Sequence, residues 1–359
     1  MYLSKILLQN FRSYDQKLIE FDAGTNLIVG PNGSGKTNIL EAIFLLNSGK
    51  SFRASSLGKL IAWNQYFASV RAKIQKEEET EIEVKLIADP TGKSSALSRK
   101  FLVDKVEKPR KKYLGILKTV VFQPEDIRLV NGSPGRRRDF LDEIFTNVEW
   151  RYASALSQYN KALKHRNELL DLVRSGLADR TQLFFWDQSL IKNANIIHDF
   201  RTAFIRHANQ FFVNHENPEI RTIFLNYHPS ALSAEKLERN YDIELIKGYT
   251  QSGVHRDDFS FDNLIFPGSD KNLADWGSRG QQRLAVLALR LAQIDYFETT
   301  YKERPILLLD DIFSELDPEH QNLVTGITKN YQTFFTSSES SSKTLLPHAC
   351  LIELSPDSH

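Results

Sequence analysis

Gly30-Pro31-Asn32-Gly33-Ser34-Gly35-Lys36-Thr37 fills every fixed position of the pattern G-x-x-x-x-G-K-[ST], whose chemistry is phosphate binding. Gly30, Gly33 and Gly35 carry no Cβ, so successive N–H groups can wrap the β- and γ-phosphates of a nucleotide at the positive end of a helix. Lys36 adds a full positive charge, and Thr37 offers a hydroxyl to the Mg²⁺ that bridges those phosphates. Much later, Pro305-Ile306-Leu307-Leu308-Leu309 ends in Asp310-Asp311. An apolar run closing on carboxylates suits a buried parallel strand whose carboxyl end meets a metal. Asp310 would orient the Mg²⁺ shell and Asp311 accept a proton from an attacking water. Between the two lies Ser278-Arg279-Gly280-Gln281, ahead of Leu284, Leu287, Ala288, Leu291 and Ile294 at helical spacing. Ser278 is a good N-cap and Gly280 permits close backbone approach, so this helix N-terminus can receive a γ-phosphate. Taken singly, the three stretches also read as a Gly-rich turn, a core strand and a well-capped core helix.

The elements that must position these groups follow from periodicity. Asn26 to Val29 is a short buried strand feeding the phosphate loop, and Ile39, Leu40, Ile43 and Phe44 recur at helical spacing after it. Strand-like runs cover 3–11, 16–21 and 25–29, then 67–76 and 81–88. A basic stretch follows, with Arg99-Lys100 and Lys108-Pro109-Arg110-Lys111-Lys112. Arg110, Lys111 and Lys112 are candidate contacts to DNA phosphates, or a solvated surface. Tyr152, Leu156, Tyr159, Leu163, Leu170 and Val173 form one apolar seam broken by Arg166. Leu190, Ala194, Ile197, Phe204, Ala208 and Phe211 form a second, broken by Arg201, with the turn at Ser175-Gly176. At about 1.5 Å per residue the two seams predict an antiparallel helical hairpin roughly 33 Å long, far short of an extended arm. Strand-like runs return at 219–227 and 241–246.

Composition bounds the classes. The 359 residues carry 46 Lys and Arg against 45 Asp and Glu, so any polyanion must meet a local concentration of positive charge. No run of about 18 apolar residues is present, which excludes a helical membrane protein. Met1 to Lys5 leads into a strand pattern rather than a signal peptide. The lone Cys350 rules out an internal disulfide, and the nine histidines show no H-E-x-x-H spacing. The expectation is a cytoplasmic protein without membrane contact or a transition-metal site.

The order of phosphate loop, S-x-G-Q, strand ending in Asp-Asp, then Ser314-Glu315-Leu316-Asp317 resembles the ATPases of the ABC class. Further blocks narrow this: Gly49-Lys50-Ser51-Phe52-Arg53, Phe122-Gln123-Pro124-Glu125-Asp126, Gly132-Ser133-Pro134 with Arg136-Arg137-Arg138, Phe140-Leu141-Asp142, and Gly253-Val254-His255-Arg256-Asp257-Asp258. Together they resemble the RecF family of bacterial recombination and replication-repair ATPases over nearly the whole chain. The resemblance implies an α/β fold: an ABC-type ATPase head, with a phosphate-loop parallel sheet plus antiparallel strands, and an inserted helical second lobe without long coiled-coil arms. We expect the head to comprise 1–137 and 219–359, and the lobe 138–218.

By the same resemblance Gly30 to Thr37 bind ATP, Ser278, Gly280 and Gln281 form the signature, Asp310 and Asp311 the Walker B pair, and Ser314 to Asp317 the D-loop. Gln123 falls near the place of a metal- and water-sensing glutamine. Thr336 stands where many transporter ATPases have histidine, and Asp311 is one methylene shorter than the glutamate common in the class, so slow hydrolysis is expected. The implied function is ATP-dependent binding to double-stranded, gapped and junction DNA by an ATP-bound homodimer that assists recombinase loading with RecO and RecR. The run His255 to Asp258 carries no chemistry that its sequence reveals, and a surface turn explains it as well. Two alternatives share the nucleotide motifs, an SMC-like clamp tethering chromosomal DNA and the ATPase subunit of a transporter. The short hairpin argues against the first and the blocks outside the site against the second.

Overall fold

The computed structural model describes residues 1–89, 97–265, 272–314, 316–338 and 342–355. Its strands are β1 (Tyr2–Phe11), β2 (Tyr14–Glu20), β3 (Thr25–Val29), β4 (Phe67–Gln75), β5 (Glu79–Ile87), β6 (Ser98–Val103), β7 (Val106–Lys108), β8 (Thr119–Phe122), β9 (Ile223–His228), β10 (Asp258–Asn263), β11 (Ile306–Asp310), β12 (Thr333–Ser337) and β13 (Cys350–Glu353). Helices longer than ten residues are α1 (Lys36–Ser48), α2 (Pro134–Thr146), α3 (Trp150–Arg174), α4 (Leu183–Asn214), α5 (Ala234–Lys247), α6 (Arg279–Tyr301) and α7 (Pro318–Thr328). Among the described residues no helix is long and apolar enough to cross a membrane.

The chain forms two compact units, one of Met1–Asp126 with Phe297–His359, the other of Ile127–Tyr296. In the first, an antiparallel sheet runs β2-β1-β4-β5-β6-β7 and a parallel sheet runs β13-β3-β12-β11-β8. Leu3, Ile6, Val70 and Val84 from the former share one core with Ile28, Leu308 and Phe334 from the latter, and Ile39, Leu40, Ile43 and Leu46 of α1 belong to it too. That placement explains why α1 is apolar on nearly every side, with Ile39 to Ser48 all buried. The α/β head expected from the sequence is present, with both kinds of sheet.

The boundaries differ from expectation. We expected the helical unit to cover 138–218, but it extends from 127 to 296 and takes in β9, β10 and α5. Side chains from the long helices bind these later elements. Asn209 of α4 donates to the Leu225 carbonyl (2.9 Å) and accepts from its N–H (2.8 Å), and Arg166 of α3 meets Glu244 of α5 at 2.7 Å. The stretch 241–246, expected as strand, is the second half of α5. Ser233 caps that helix by accepting from the Lys236 N–H (3.2 Å), Gly248 ends it at φ 75°, and buried Leu237 and Glu244 lie two turns apart. Its aromatic and β-branched residues fit strand propensity, which tertiary packing overrode. The strand expected from 219 begins only at Ile223, after a short 3₁₀ turn.

The helical hairpin is real and compact, with 25 residues in α3 and 32 in α4. Its seams shift slightly. Ala155 and Ala162 are buried where Leu156 and Leu163 were expected, and Phe212 rather than Phe211. Small residues at the contact let the helices approach closely, with the larger neighbours turned to the flanks.

Candidate nucleotide site

The phosphate loop leaves β3 at Val29 and enters α1 at Lys36. Gly35 precedes the helix at φ 94°, a left-handed conformation, and a Cβ there would collide with the Tyr14 hydroxyl. No side chain caps α1, and the N–H groups of Gly33, Gly35, Lys36 and Thr37 donate to nothing among the described residues. Such donors at the positive end of a helix suit an anion. The Lys36 ammonium curls back to donate to the Gly30 (2.6 Å) and Pro31 (2.9 Å) carbonyls. Burial holds its pKa below the usual lysine value, while Asp311 and Asp310 act in the opposite direction.

Asp310 closes the other side from the carboxyl end of β11. Its Oδ1 accepts from Thr37 Oγ1 (2.8 Å) and from Thr336 Oγ1 at the end of β12 (2.7 Å). Register dictates the meeting, since β11 pairs β12 in parallel with Asp310 opposite Thr336. Asp311 then turns out of the strand at φ 48°, and its N–H donates to the same Thr336 hydroxyl (3.0 Å). Lys36, Thr37, Asp310, Asp311 and Thr336 line one cavity of about 250 Å³. Two larger cavities, about 530 and 520 Å³, lie in the second unit with mainly apolar walls; the charges that line the second are paired with one another, Arg166 with Asp187 and Arg180 with Glu238. The oxygens of Thr37 and Asp310 are the hard ligands that Mg²⁺ takes, so the residues present fit that ion.

The cavity also draws in residues whose role the sequence did not reveal. Arg53 stands on its wall, carried by the loop after α1. A signal existed, because Arg53 closes the block Gly49 to Arg53, but nothing in the spacing assigned it to phosphate. Thr336, read from sequence only as a poor substitute for histidine, is the hydroxyl that fixes both Asp310 and the Asp311 backbone. Other expected residues lie elsewhere. Gln123 follows β8 at the level of Asp310 one strand away, yet it is not among the described lining residues. Ser278, Gly280 and Gln281 belong to the second unit, whereas the described lining comes from the first alone. Ser278 caps α6 as expected: its Oγ accepts from the Gln281 N–H (3.2 Å) and its own N–H donates to Gln281 Oε1 (2.9 Å). Within the expected D-loop, Ser314 bonds the Asp311 carbonyl (2.7 Å), and Glu315 lies outside the described residues.

Arg110, Lys111 and Lys112 form one short helix but not one charged face. Lys111 and Lys112 are exposed, while Arg110 is half-buried with its pKa lowered, first by burial and then by neighbouring Arg99. The alternative of a surface turn at His255 to Asp258 is overturned. Asp257 is fully buried and accepts from His198 (3.0 Å), Arg201 (2.7 Å), Tyr227 (2.7 Å) and the Ser230 N–H (2.7 Å). Asp258 pairs with Arg137 at 2.6 Å, and His255 bonds Tyr159 at 2.7 Å; of the four only Arg256 is exposed.

Comparison with known proteins places the chain in a family. Residues 2–344 match the RecF/RecN/SMC N terminal domain family. The chain is 34% identical over 349 residues to the DNA replication and repair protein RecF of Leptospira interrogans, covering 94% of this chain and 92% of that one. Its identity to the RecF of Oceanobacillus iheyensis is also 34%, over 356 residues, with 94% and 93% covered. Among solved structures it is similar to the recombination mediator protein RecF-ATPrS in the RecFOR pathway, with TM-score 0.83, 29% identity, and 95% and 93% of the two chains covered. An Smc head bound to the C-winged helix domain of ScpA shares the fold alone, at TM-score 0.51 and 19% identity over 96% and 92% of the chains. With a family match over residues 2–344 and 34% identity across nearly the whole of both chains, the chain belongs to the RecF family.

Proposed function

We propose that this chain is an ATP-dependent DNA-binding repair ATPase of the cytoplasm, which binds ATP and Mg²⁺, pairs head to tail with a second copy, and holds gapped or junction DNA. The observation that carries the reading is Asp310, fixed by Thr37 and Thr336 beside the Lys36 ammonium and four N–H groups that have no partner among the described residues. Gly30, Pro31, Asn32, Gly33, Ser34 and Gly35 would wrap the phosphates, with Lys36 at the β- and γ-groups. Thr37 and Asp310 would hold Mg²⁺, which supplies charge neutralisation on the phosphates when bound. Asp311 would take the proton of the attacking water, slowly, because its carboxylate is short and Thr336 offers no imidazole. Gln123 at the end of β8 would sense the metal from the adjacent strand. RecF relatives are named for replication and repair, and a similar solved structure as a mediator in the RecFOR pathway, which supports RecO and RecR as partners here. Lys111 and Lys112 remain proposed DNA contacts; half-buried Arg110 supports them mainly by packing.

The signature at Ser278 would complete the nucleotide site of a second copy, an isologous arrangement with ATP between the partners. Mixing Lys36→Met with Ser278→Arg chains tests it. In a mixed dimer one composite site carries both lesions and the other none, so steady-state phosphate release should recover to at most roughly a quarter of wild type with random pairing. No recovery, with mixed dimers shown to form, would defeat the shared site.

A further inference from the structure

Trp63 is 94% exposed, and Tyr66, three residues on, is 57% exposed. Together they put two large aromatic faces on one exposed turn. Their loop is built rather than loose. The Ala62 N–H donates to the Asn10 carbonyl (2.9 Å), the Gln65 N–H to the Ala62 carbonyl (3.1 Å), and the Ala88 N–H to the Tyr66 carbonyl (2.8 Å). Arg12 ties the same loop to the nucleotide helix, donating to the Lys59 carbonyl (3.0 Å) and to Glu41 of α1 (2.7 Å).

Charge says what the rings would meet. From Ala42 to Lys76 there is no Asp or Glu, and Lys50, Arg53 and Lys59 precede Trp63. Glu41, the last carboxylate before this stretch, is fully buried against Arg12. A flat indole on a pinned turn, with the exposed Lys59 four residues before it, matches the combination that holds a single strand: stacking on the base and attraction for the phosphates. In a paired duplex the base faces are hidden in the stack, so the indole would distinguish unpaired from paired DNA. We propose that the loop 57–66 is a binding site for single-stranded DNA, with an unpaired base stacked on Trp63 and the flanking phosphates near Lys59. This rests on the DNA-binding function proposed above and names the surface that would recognise a gap.

The test uses the full-length chain with ATP and Mg²⁺, titrated into fluorescently labelled oligo-dT, a gapped duplex and a blunt duplex. Trp63→Ala should weaken the single-stranded and gapped substrates by about tenfold, within the range for loss of one base–aromatic stack. Blunt duplex binding should change by less than about twofold, and Trp63→Phe should restore most of the loss, because a smaller ring still stacks. Oligo-dT should also quench a tryptophan signal that the Ala variant lacks. Unchanged affinity of Trp63→Ala for gapped DNA overturns the proposal, as does an equal loss on gapped and blunt substrates. A changed sedimentation coefficient of Trp63→Ala without DNA overturns it too, by giving the indole to a protein contact. Wild-type protein that binds no DNA defeats the parent function and this site together, whereas wild-type binding with an indifferent Trp63→Ala defeats this site alone.

Discussion

The first unit gathers one set of ionisable groups at the mouth of its parallel sheet; the second buries two arginines inside a helical core. At the nucleotide site, among the described residues, Lys36 is bonded to two backbone carbonyls and four N–H groups of the loop have no protein partner. In the second unit Arg166 and Arg201 are each 1% exposed and bonded to carboxylates and hydroxyls of the protein. Both regions look equally charged in sequence. What separates them is unsatisfied capacity: donors left open at a cavity are available to a ligand, whereas donors saturated by protein fix the positions of helices.

Four measurements can break or sharpen that contrast. The largest effect belongs to Arg201→Met, which strands Asp257 and Asp142 without their shared cation. Denaturant unfolding should show a loss of about 3–5 kcal/mol, while calorimetric ATP affinity at a temperature where the variant is folded stays within about twofold. Equal damage to both would erase the division of labour. His255 comes next. Burial pushes its pKa down from 6.5 to about 4, with the Thr250 carbonyl the chief opposing influence. The unfolded chain therefore binds its proton first, so the stabilisation is complete above pH 6.5 and is lost as pH falls to about 4. That loss amounts to about 3 kcal/mol. Stability against pH should fall by that much more in wild type than in His255→Asn, and parallel curves would show that the ring is not buried neutral.

Lys36→Met should lower ATP affinity by about a hundredfold, or about 2.7 kcal/mol, with a nearly unchanged melting temperature, since its hydrogen bonds go to two carbonyls and the attraction of Asp311 and Asp310 is opposed by burial. A stability loss as large as that of Arg201→Met would mean that Lys36 is structural as well. The smallest effect is expected from Thr336→Val, which keeps shape but removes the hydroxyl shared by Asp310 and the Asp311 N–H. One net hydrogen bond is worth about 1 kcal/mol, so ATP turnover should fall by about five- to tenfold with ATP affinity nearly unchanged. Wild-type turnover would assign the positioning of Asp310 to Thr37 alone.

The nucleotide site was legible because its chemistry is local. A phosphate loop needs consecutive residues of fixed type, so Gly30 to Thr37 and the run ending at Asp310-Asp311 declare themselves without neighbours. The strand pattern and the helical seams were equally visible, as each depends on a repeat of two or about three and a half residues. Arg166 and Arg201 were visible only as interruptions. Their partners Glu244 and Asp257 lie 78 and 56 residues away, and no period connects such residues. The same remoteness hid the boundary at 296 and the helix over 241–246, whose strand-like composition yields to a Ser233 cap and to packing of Glu244 on Arg166. Thr336 acquires its role only when β12 settles beside β11 in parallel register, and Arg53 only when its loop folds back to the phosphate cavity. Sequence by itself determined which residues could do chemistry and which faces had to be buried, because bond geometry and hydrophobicity act residue by residue. Tertiary structure alone decided which charges were left open, because satisfaction of a donor is a property of two groups brought together by the whole chain.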